Sequence, residues 1–265
     1  MVFKVVVLNC VGASLIFNYA RSINLDINGL KTRDRKSLVT ELVNFAEKNR
    51  LSASAEINSL ERILNKLHSD GYSVSDIYLE FFISDTWEGA TCGRALEENY
   101  KKRGYFVSLT TIKGLKYDAR DFLEQGLLSL VNELSERVFH HTREGRRVII
   151  NATGGFKAEA AYATLVGLIN KCEVYYIHEK FNEIVDLPPL PIKIDEDFWN
   201  KYGDIIDYLK EERDLNEAKQ KFGDRLQHVM LLAIVRDRNG GKIIKLGPAG
   251  FAFYLAAEER KLRKE

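Results

Sequence analysis

The stretch VIINATGGFKAEAAYATLVGLIN, residues 148–170, decides the fold, because an apolar run leads through two adjacent glycines into a helical segment. Gly154 and Gly155 let the backbone turn tightly and approach a ligand without a Cβ atom in the way. The first amides of the following helix are unpaired and lie at the positive end of its dipole, which favours an anion. The stretch predicts a strand, an anion-binding loop and a helix; a plain strand-to-helix turn is the alternative.

The side chains of this loop suit a nucleotide. Lys157 falls in the first turn of the helix and adds a mobile positive charge. Asn151 and Thr153 offer short polar groups to a sugar or a base. The spacing fits neither a GxxxxGK[ST] phosphate loop nor a GxGxxG fingerprint. The predicted ligand contacts in this loop are Asn151, Thr153, Gly154, Gly155 and Phe156.

Outward from this stretch, strands and helices alternate along the chain. Strands are predicted at residues 3–8, 77–83, 105–110, 148–151 and 173–177, and helices at 36–48, 55–67, 89–103, 119–142 and 158–170. Alternation of this kind is typical of a parallel sheet covered by helices on both faces. The predicted class is therefore α/β, with a Rossmann-like, mostly parallel sheet, and such sheets bind ligands at the carboxyl ends of their strands.

A proline run marks the predicted domain boundary. LPPLP at residues 187–191 holds three of the four prolines, and proline excludes both helix and central strand. We therefore predict one domain over residues 1–190 and a small helical domain over residues 195–265. Helices at 197–213, 215–222, 224–236 and 248–264, with a turn at 239–241 and a strand at 242–246, resemble a winged helix-turn-helix.

Polar residues follow three further predicted strands. Asn9, Cys10, Gly12 and Ser14 come after the first strand, where Ser14 is either a donor to phosphate or a helix cap. After the second strand, Ser84, Asp85 and Thr86 are predicted ligand contacts, with a capped helix start as the alternative. Trp87 either stacks on a base or covers the domain. His178, after the fifth strand, suits acid–base work near neutral pH or a packing role.

Composition excludes several classes of protein. The formal net charge is +1, so no global basic field drives non-specific nucleic-acid binding. No apolar stretch approaches the ~20 residues that a membrane span needs, and the N-terminus predicts a strand rather than a signal peptide. The three cysteines have no metal-type spacing, and no HxxxH or HExxH pattern occurs. We expect a cytoplasmic protein with reduced thiols, no metal and no cofactor.

Several stretches together resemble the CARF (CRISPR-associated Rossmann fold) domains of type III CRISPR systems, and in particular their APE-type branch. These are VVVLNCVGASL, AEINSL, ISDTWEG, IKGLKYDARDFLEQGL, INATGGFKAEAAYATLVG and YYIHEKFNEIVDLPPLPI. They span about residues 1 to 195. The combination of NxTGGFKAE with YIHE and LPPLP is the most specific part of the resemblance.

The resemblance implies a homodimer that binds cyclic oligoadenylate, such as cyclic tetra-adenylate, across its two-fold axis. The loops corresponding to residues 9–14 and 151–157 hold the phosphates in this family. In members that cleave the ring, called ring nucleases, a serine and a lysine at the positions of Ser14 and Lys157 matter most. No metal is expected, and the product is a linear di-adenylate ending in a 2′,3′-cyclic phosphate.

The segment after residue 195 lacks the motifs of common CARF effectors. It has no R-x4-6-H motif of a HEPN ribonuclease and no PD-(D/E)xK pattern. Three hypotheses follow: a ring nuclease, a transcriptional regulator that senses cyclic oligoadenylate and binds DNA through the winged helix, and an ordinary nucleotide-binding protein. The charge-rich C-terminal end favours a solvated helix face over a DNA contact.

Overall fold

A six-stranded sheet forms the N-terminal part of the chain. The structure is a computed structural model that describes residues 3–177, 183–238 and 240–262. The strands are β1 Val5–Val11, β2 Ile77–Ser84, β3 Phe106–Ile112, β4 Arg147–Asn151, β5 Glu173–Tyr176 and β6 Val185–Leu187. In the order β3-β2-β1-β4-β5-β6, the first five strands by sequence are parallel and β6 pairs antiparallel with β5. The predicted mostly parallel α/β sheet is confirmed.

Helices cover both faces of this sheet. All seven residues of β1 are buried. Val5 and Val7 belong to the apolar cluster on one face, and Val6 and Leu8 to the cluster on the other, because successive strand side chains alternate. The first face carries α1 Ser14–Ser22, α2 Ile27–Lys31, α3 Arg35–Lys48, α4 Ala55–Ser69 and α5 Trp87–Lys102. The second face carries α7 Leu127–Arg143 and α8 Lys157–Ile169.

One long helical segment leads into the second face. A short helix, α6 Ala119–Asp121, passes through a π-helical turn, Phe122–Gly126, directly into α7. The sequence predicted one helix over 119–142, and the structure contains that span with the π-helical turn inside it. Such turns often accompany functional sites.

The C-terminal part forms a second, antiparallel sheet in the order β7-β9-β8. Its elements are α9 Glu196–Leu209, β7 Arg213–Asp214, α10 Leu215–Phe222, a 3₁₀ stretch Gly223–Leu232, β8 Ala233–Arg238, β9 Gly241–Leu246 and α11 Pro248–Leu262. The predicted helix at 224–236 is wrong over its last four residues. They belong to β8, whose backbone pairs with β9 across the turn at Gly240, where φ is +83°.

The two parts of the chain are packed together by α11. Its Ala252 lies in the apolar cluster of the second sheet face, and Arg143 of α7 donates from Nε to Glu259 at 3.0 Å. Residues 188–195 contain neither helix nor strand, as the proline run predicts, although Leu187 closes β6. The division into domains 1–190 and 195–265 stays a prediction. Among the described helices, none is both long enough and apolar enough to cross a bilayer.

Candidate functional site

Two neighbouring loops meet at the carboxyl edge of the sheet. We call residues 9–14, which comprise the last three residues of β1 and the turn after it, the first loop. Residues 151–157, from the last residue of β4 to the first of α8, are the Thr-Gly-Gly loop. Asn9 and Asn151 pair in the strand register, so both loops leave the sheet side by side. A Cβ atom on Gly12 would lie 2.8 Å from the Gly155 nitrogen, and one on Gly154 would overlap the Cys10 carbonyl oxygen. Glycine therefore permits the two backbones to touch.

The first residues of both loops lie beneath the surface. Asn9 and Asn151 are each 1% exposed. The Asn151 amide donates to Asn9 Oδ1 at 3.1 Å and to Ser59 Oγ at 2.9 Å, and Asn9 Nδ2 donates to the Val7 carbonyl at 2.9 Å. These predicted ligand contacts hold the strand ends together below the loops.

The predicted contact Cys10 is also fully buried, among the apolar side chains of the second sheet face. Burial, and then the charge of Glu159, raise the pKa of its thiol well above the ordinary value. Cys10 therefore stays a neutral thiol. Its contact with the Thr-Gly-Gly loop is made by its backbone carbonyl, which lies beside Gly154.

Unused hydrogen-bond donors gather where α8 begins. Gly155 is exposed with φ +87°, and the amides of Gly155, Lys157 and Ala158 donate to none of the described residues. The Lys157 side chain is exposed, and its ammonium has no hydrogen-bond or ion-pair partner within the described ranges. Free amides at a helix start together with a free ammonium suit an anion such as a phosphate.

Ser14 is hydrogen-bonded to Glu56, which was not among the predicted site residues. Its hydroxyl donates to the Glu56 carboxylate and accepts from the Ala55 amide at 3.2 Å. Glu56 also accepts from the Gly12 amide at 2.9 Å. Ser14 does not cap α1, because the cap position is Ala13. It instead links the first loop to the start of α4, and Glu56 orients the whole loop.

A second buried carboxyl, Glu159, lies under the Thr-Gly-Gly loop. It is 1% exposed, and its Oε1 accepts from the Phe156 amide at 3.0 Å. Burial raises the pKa of Glu159 to about 8; the Phe156 amide opposes this shift, and the charge of Glu56 adds to it. Glu159 is thus mostly neutral at pH 7 and does not repel an anion at the start of α8.

An aromatic group flanks the Thr-Gly-Gly loop. Phe156 lies 5.3 Å from Tyr117 and 5.0 Å from Phe122, measured between ring centroids. Tyr117 is 65% exposed, so one side of this group is open to a planar ligand. Phe156 was predicted from the sequence as a ligand contact, and neither of its aromatic neighbours was. Only their position after a strand end, in KYDARDF, could have indicated them.

A polar cleft opens beside Ser14, between α1 and α4. Its volume is about 530 Å³, and Asn18, Arg21 and Asn58 are among the polar residues that line it. The cleft also reaches Ile177, whose amide donates to Thr153 Oγ1 at 3.1 Å. The cleft therefore extends from the first loop to the end of β5. His178, the next predicted contact, lies outside the described residues.

The loop after β2, residues 84–89, has a different character. Thr86 caps α5 by accepting from the Gly89 amide at 3.0 Å, and shares a 2.9 Å hydrogen bond with Ser84. Asp85 accepts weakly from the Gly114 amide at 3.4 Å and donates its own amide to Leu115. The capped helix start, kept as the alternative, is what the structure contains. Trp87 packs half-buried against the core.

One cluster of potential metal ligands occurs among the described residues, on α7: His140, His141 and Glu144. His141 is buried, and both its ring nitrogens are engaged, one with Glu80 at 2.8 Å and one with Arg146 at 2.7 Å. A metal could bind there only by breaking this buried network. The expectation of a metal-free site stays a prediction.

Comparison with known protein families identifies one family that the chain matches. A model of the CRISPR-associated protein family Cas_APE2256 matches residues 51–190, slightly more than half of the chain. The match covers Glu56 and the Thr-Gly-Gly loop, and the first loop precedes it. The fold and the matched half together lead to one conclusion: this chain belongs to the CRISPR-associated protein family Cas_APE2256.

Proposed function

We propose that the protein is a CARF-type ring nuclease, which binds cyclic tetra-adenylate across a homodimer and cleaves it without a metal. One observation carries this proposal. Within the described ranges, the Lys157 ammonium and the amides of Gly155, Lys157 and Ala158 have no partner. The Gly155 backbone lies against Gly12 of the first loop, and Ser14 of that loop lines a cleft of about 530 Å³. Membership of a CRISPR-associated family supports a cyclic oligoadenylate over other nucleotides.

The reaction needs geometry more than a strong reagent. The ribose 2′-hydroxyl attacks the adjacent phosphorus in line, the bond from phosphorus to O5′ breaks, and a 2′,3′-cyclic phosphate remains. Fixing the reacting atoms and neutralising the developing charge supply the acceleration. In this proposal, Lys157 and the Gly155 amide neutralise that charge. Two equivalent sites in a two-fold dimer would cut the ring twice and give two di-adenylates.

The aromatic group gives the proposal a means of holding bases. Stacking on an exposed ring is worth about 1–3 kcal/mol per base and tolerates any base. Tyr117, supported by Phe156, offers such a ring beside the loop that holds the phosphate. In the polar cleft beside Ser14, the Arg21 guanidinium and the side-chain amide nitrogen of Asn58 have no hydrogen-bond partner among the described residues and can donate to a sugar or a base edge. The Asn18 side-chain amide already donates to the Ala53 carbonyl at 3.0 Å.

The test is incubation of the purified protein with radiolabelled cyclic tetra-adenylate in EDTA, beside Lys157→Ala and Ser14→Ala variants. We expect di-adenylate with a cyclic phosphate end, formed about 10²–10³-fold more slowly by Lys157→Ala. Lys102→Ala, at the opposite edge of the sheet, is the matched control and should leave the rate unchanged. Tight binding of an intact ring by the wild-type protein would instead favour a sensor.

A sensor with a C-terminal output is the second candidate, and a chain of contacts favours it. Phe156 of the Thr-Gly-Gly loop touches Phe122 in the π-helical turn. In the same turn, Glu124 pairs with Arg236 of β8, and its carbonyl accepts from Lys245 Nζ of β9 at 3.2 Å. A shift of the loop on ligand binding therefore has a direct route to the small sheet.

DNA binding by that sheet has weaker support. The 3₁₀ stretch Gly223–Leu232 occupies the place of a recognition helix, which reads DNA with exposed polar side chains. Its single arginine, Arg225, is paired with Asp204 at 2.8 Å, and Leu231 is 80% exposed. A sensor of this kind is tested by DNA binding at low salt with and without cyclic tetra-adenylate. Absence of binding in both conditions removes the regulator.

A further inference from the structure

The hydrogen bonds of Ser14 decide what it can offer to a ligand. A hydroxyl has one hydrogen and two lone pairs. The hydrogen of Ser14 points to the Glu56 carboxylate, and the Ala55 amide uses one lone pair at 3.2 Å. The remaining lone pair has no partner among the described residues, and the half-buried Ser14 lines the cleft between α1 and α4. Ser14 therefore presents a hydrogen-bond acceptor to that cleft.

An acceptor selects a different part of the ligand than a donor does. Phosphate oxygens of a diester carry no hydrogen and cannot donate to Ser14. A ribose 2′-hydroxyl can donate, and it is the nucleophile of the proposed cleavage. We propose that Ser14 and Glu56 form a proton relay: Ser14 accepts the 2′-hydroxyl hydrogen and passes its own hydrogen to the Glu56 carboxylate. This inference rests on the proposed function.

The step balances with groups that are present in the chain. As O2′ bonds to phosphorus, its proton moves to Ser14 Oγ, and the original Ser14 hydrogen moves to Glu56. The bond from phosphorus to O5′ breaks, and the leaving oxygen takes a proton from the Lys157 ammonium. Glu56 then returns its proton to solvent, and Lys157 regains one. Ser14 touches the reacting hydroxyl, whereas Glu56 acts through Ser14 as a positioning residue.

The surroundings of Glu56 keep it available as an acceptor. It is 4% exposed, and its Oε1 accepts from the Gly12 amide while its Oε2 accepts from Ser14. The titratable groups that face it are Glu159 of α8 and Cys92 of α5. Cys92 is a buried thiol, whose pKa burial and then the charge of Glu56 raise well above the ordinary value. Cys92 therefore stays a neutral thiol beside the Glu56 carboxylate.

Glu56→Gln tests the relay, because the amide carbonyl still accepts from Gly12 while the amide NH₂ cannot accept from Ser14. We expect cyclic tetra-adenylate affinity within about threefold of the wild type and cleavage slowed by about 100-fold.

Glu61→Gln is the matched control, since Glu61 is also a buried carboxylate of α4 but pairs with Arg103 and Tyr100. Its cleavage rate and its affinity for cyclic tetra-adenylate should equal those of the wild type. A Glu56→Gln protein that cleaves as fast as the wild type overturns the relay and leaves the ring nuclease standing. A wild-type protein that leaves the ring intact overturns both.

Discussion

The Thr-Gly-Gly loop and the loop after β2 occupy equivalent places in the sheet but differ in how their polar groups are hydrogen-bonded. Both follow parallel strands at one edge of the sheet, both open a helix, and both carry small polar residues. In the loop after β2, the polar groups of Ser84, Asp85 and Thr86 bond to one another or to nearby backbone. In the Thr-Gly-Gly loop, Lys157 and the Gly155 amide have no partner within the described ranges.

The difference teaches how to separate ligand loops from structural loops in such a sheet. Position at the carboxyl edge is shared, so it does not discriminate. Unused donors do discriminate, because a hydrogen bond already made within the protein must be broken before a ligand can use the group. By this measure the candidate site lies around β1 and β4, and the loop after β2 supports the fold beside it.

The largest effect that would sharpen this comparison concerns Glu159 and pH. Its pKa is raised from 4.5 to about 8, so between these values the folded chain holds a proton that the unfolded chain has lost. The free energy of unfolding should therefore fall as pH rises through this range, by up to about 1.4 kcal/mol per pH unit. Glu159→Gln should lack this component.

Urea unfolding of both proteins at pH 5, 6, 7 and 8 measures the effect. The other titrating groups contribute to both curves and cancel in their difference. The wild-type protein should lose stability relative to Glu159→Gln as the pH rises. Parallel curves would mean that Glu159 titrates normally, and the loop would then present a charged carboxylate beneath a phosphate.

Two glycine substitutions, one in each loop, test whether only the Thr-Gly-Gly loop contributes to ligand binding. In Gly154→Ala, the new Cβ would overlap the Cys10 carbonyl and lie 2.5 Å from Glu56 Cγ. In Gly89→Ala, the new Cβ would overlap the Ser84 hydroxyl in the loop after β2. Each should cost about 1–3 kcal/mol in the free energy of unfolding, because packed neighbours must move.

Ligand binding should distinguish the two variants. Gly154→Ala pushes the first loop away from the Thr-Gly-Gly loop, and we expect cyclic tetra-adenylate affinity to fall at least about tenfold, or 1.4 kcal/mol. Gly89→Ala should bind as the wild type does. Calorimetric titration of both folded variants measures this, and equal losses of affinity would show that the loop after β2 belongs to the site.

Much of this fold follows from local sequence. Apolar strands and helical periodicity predict the five parallel strands, and the Gly-Gly pair predicts the tight turn before α8. The elements that escaped prediction depend on distant partners. β8 forms because residues 233–238 pair with β9, and β6 is a short antiparallel edge that pairs with β5. α1 and α2 also escaped prediction.

The candidate site was predicted by residue type but not by hydrogen bonding. Ser14 and Lys157 were predicted as site residues because of the loops in which they lie. Only the structure shows that Ser14 bonds to Glu56 and that Lys157 has no partner within the described ranges. The bond from Ser14 to Glu56 spans 42 residues and depends on how α4 packs beside β1. The burial of Asn9 and Asn151 depends on the register of two strands far apart in sequence. No single-sequence pattern carries either fact.

The smallest predicted effect concerns the loop after β2 and tests whether its polar residues serve the fold rather than a ligand. Thr86→Ala removes the cap that accepts from the Gly89 amide, and should cost about 1 kcal/mol in the free energy of unfolding. Thr86→Ser keeps the cap and should recover most of the lost free energy of unfolding. Cyclic tetra-adenylate affinity should stay within about twofold in both variants, because the hydroxyl of Thr86 is already occupied within its own loop. If Thr86→Ala lost much affinity and Thr86→Ser regained it, a hydroxyl that caps a helix could still serve a ligand. Unused donors alone would then not define the site.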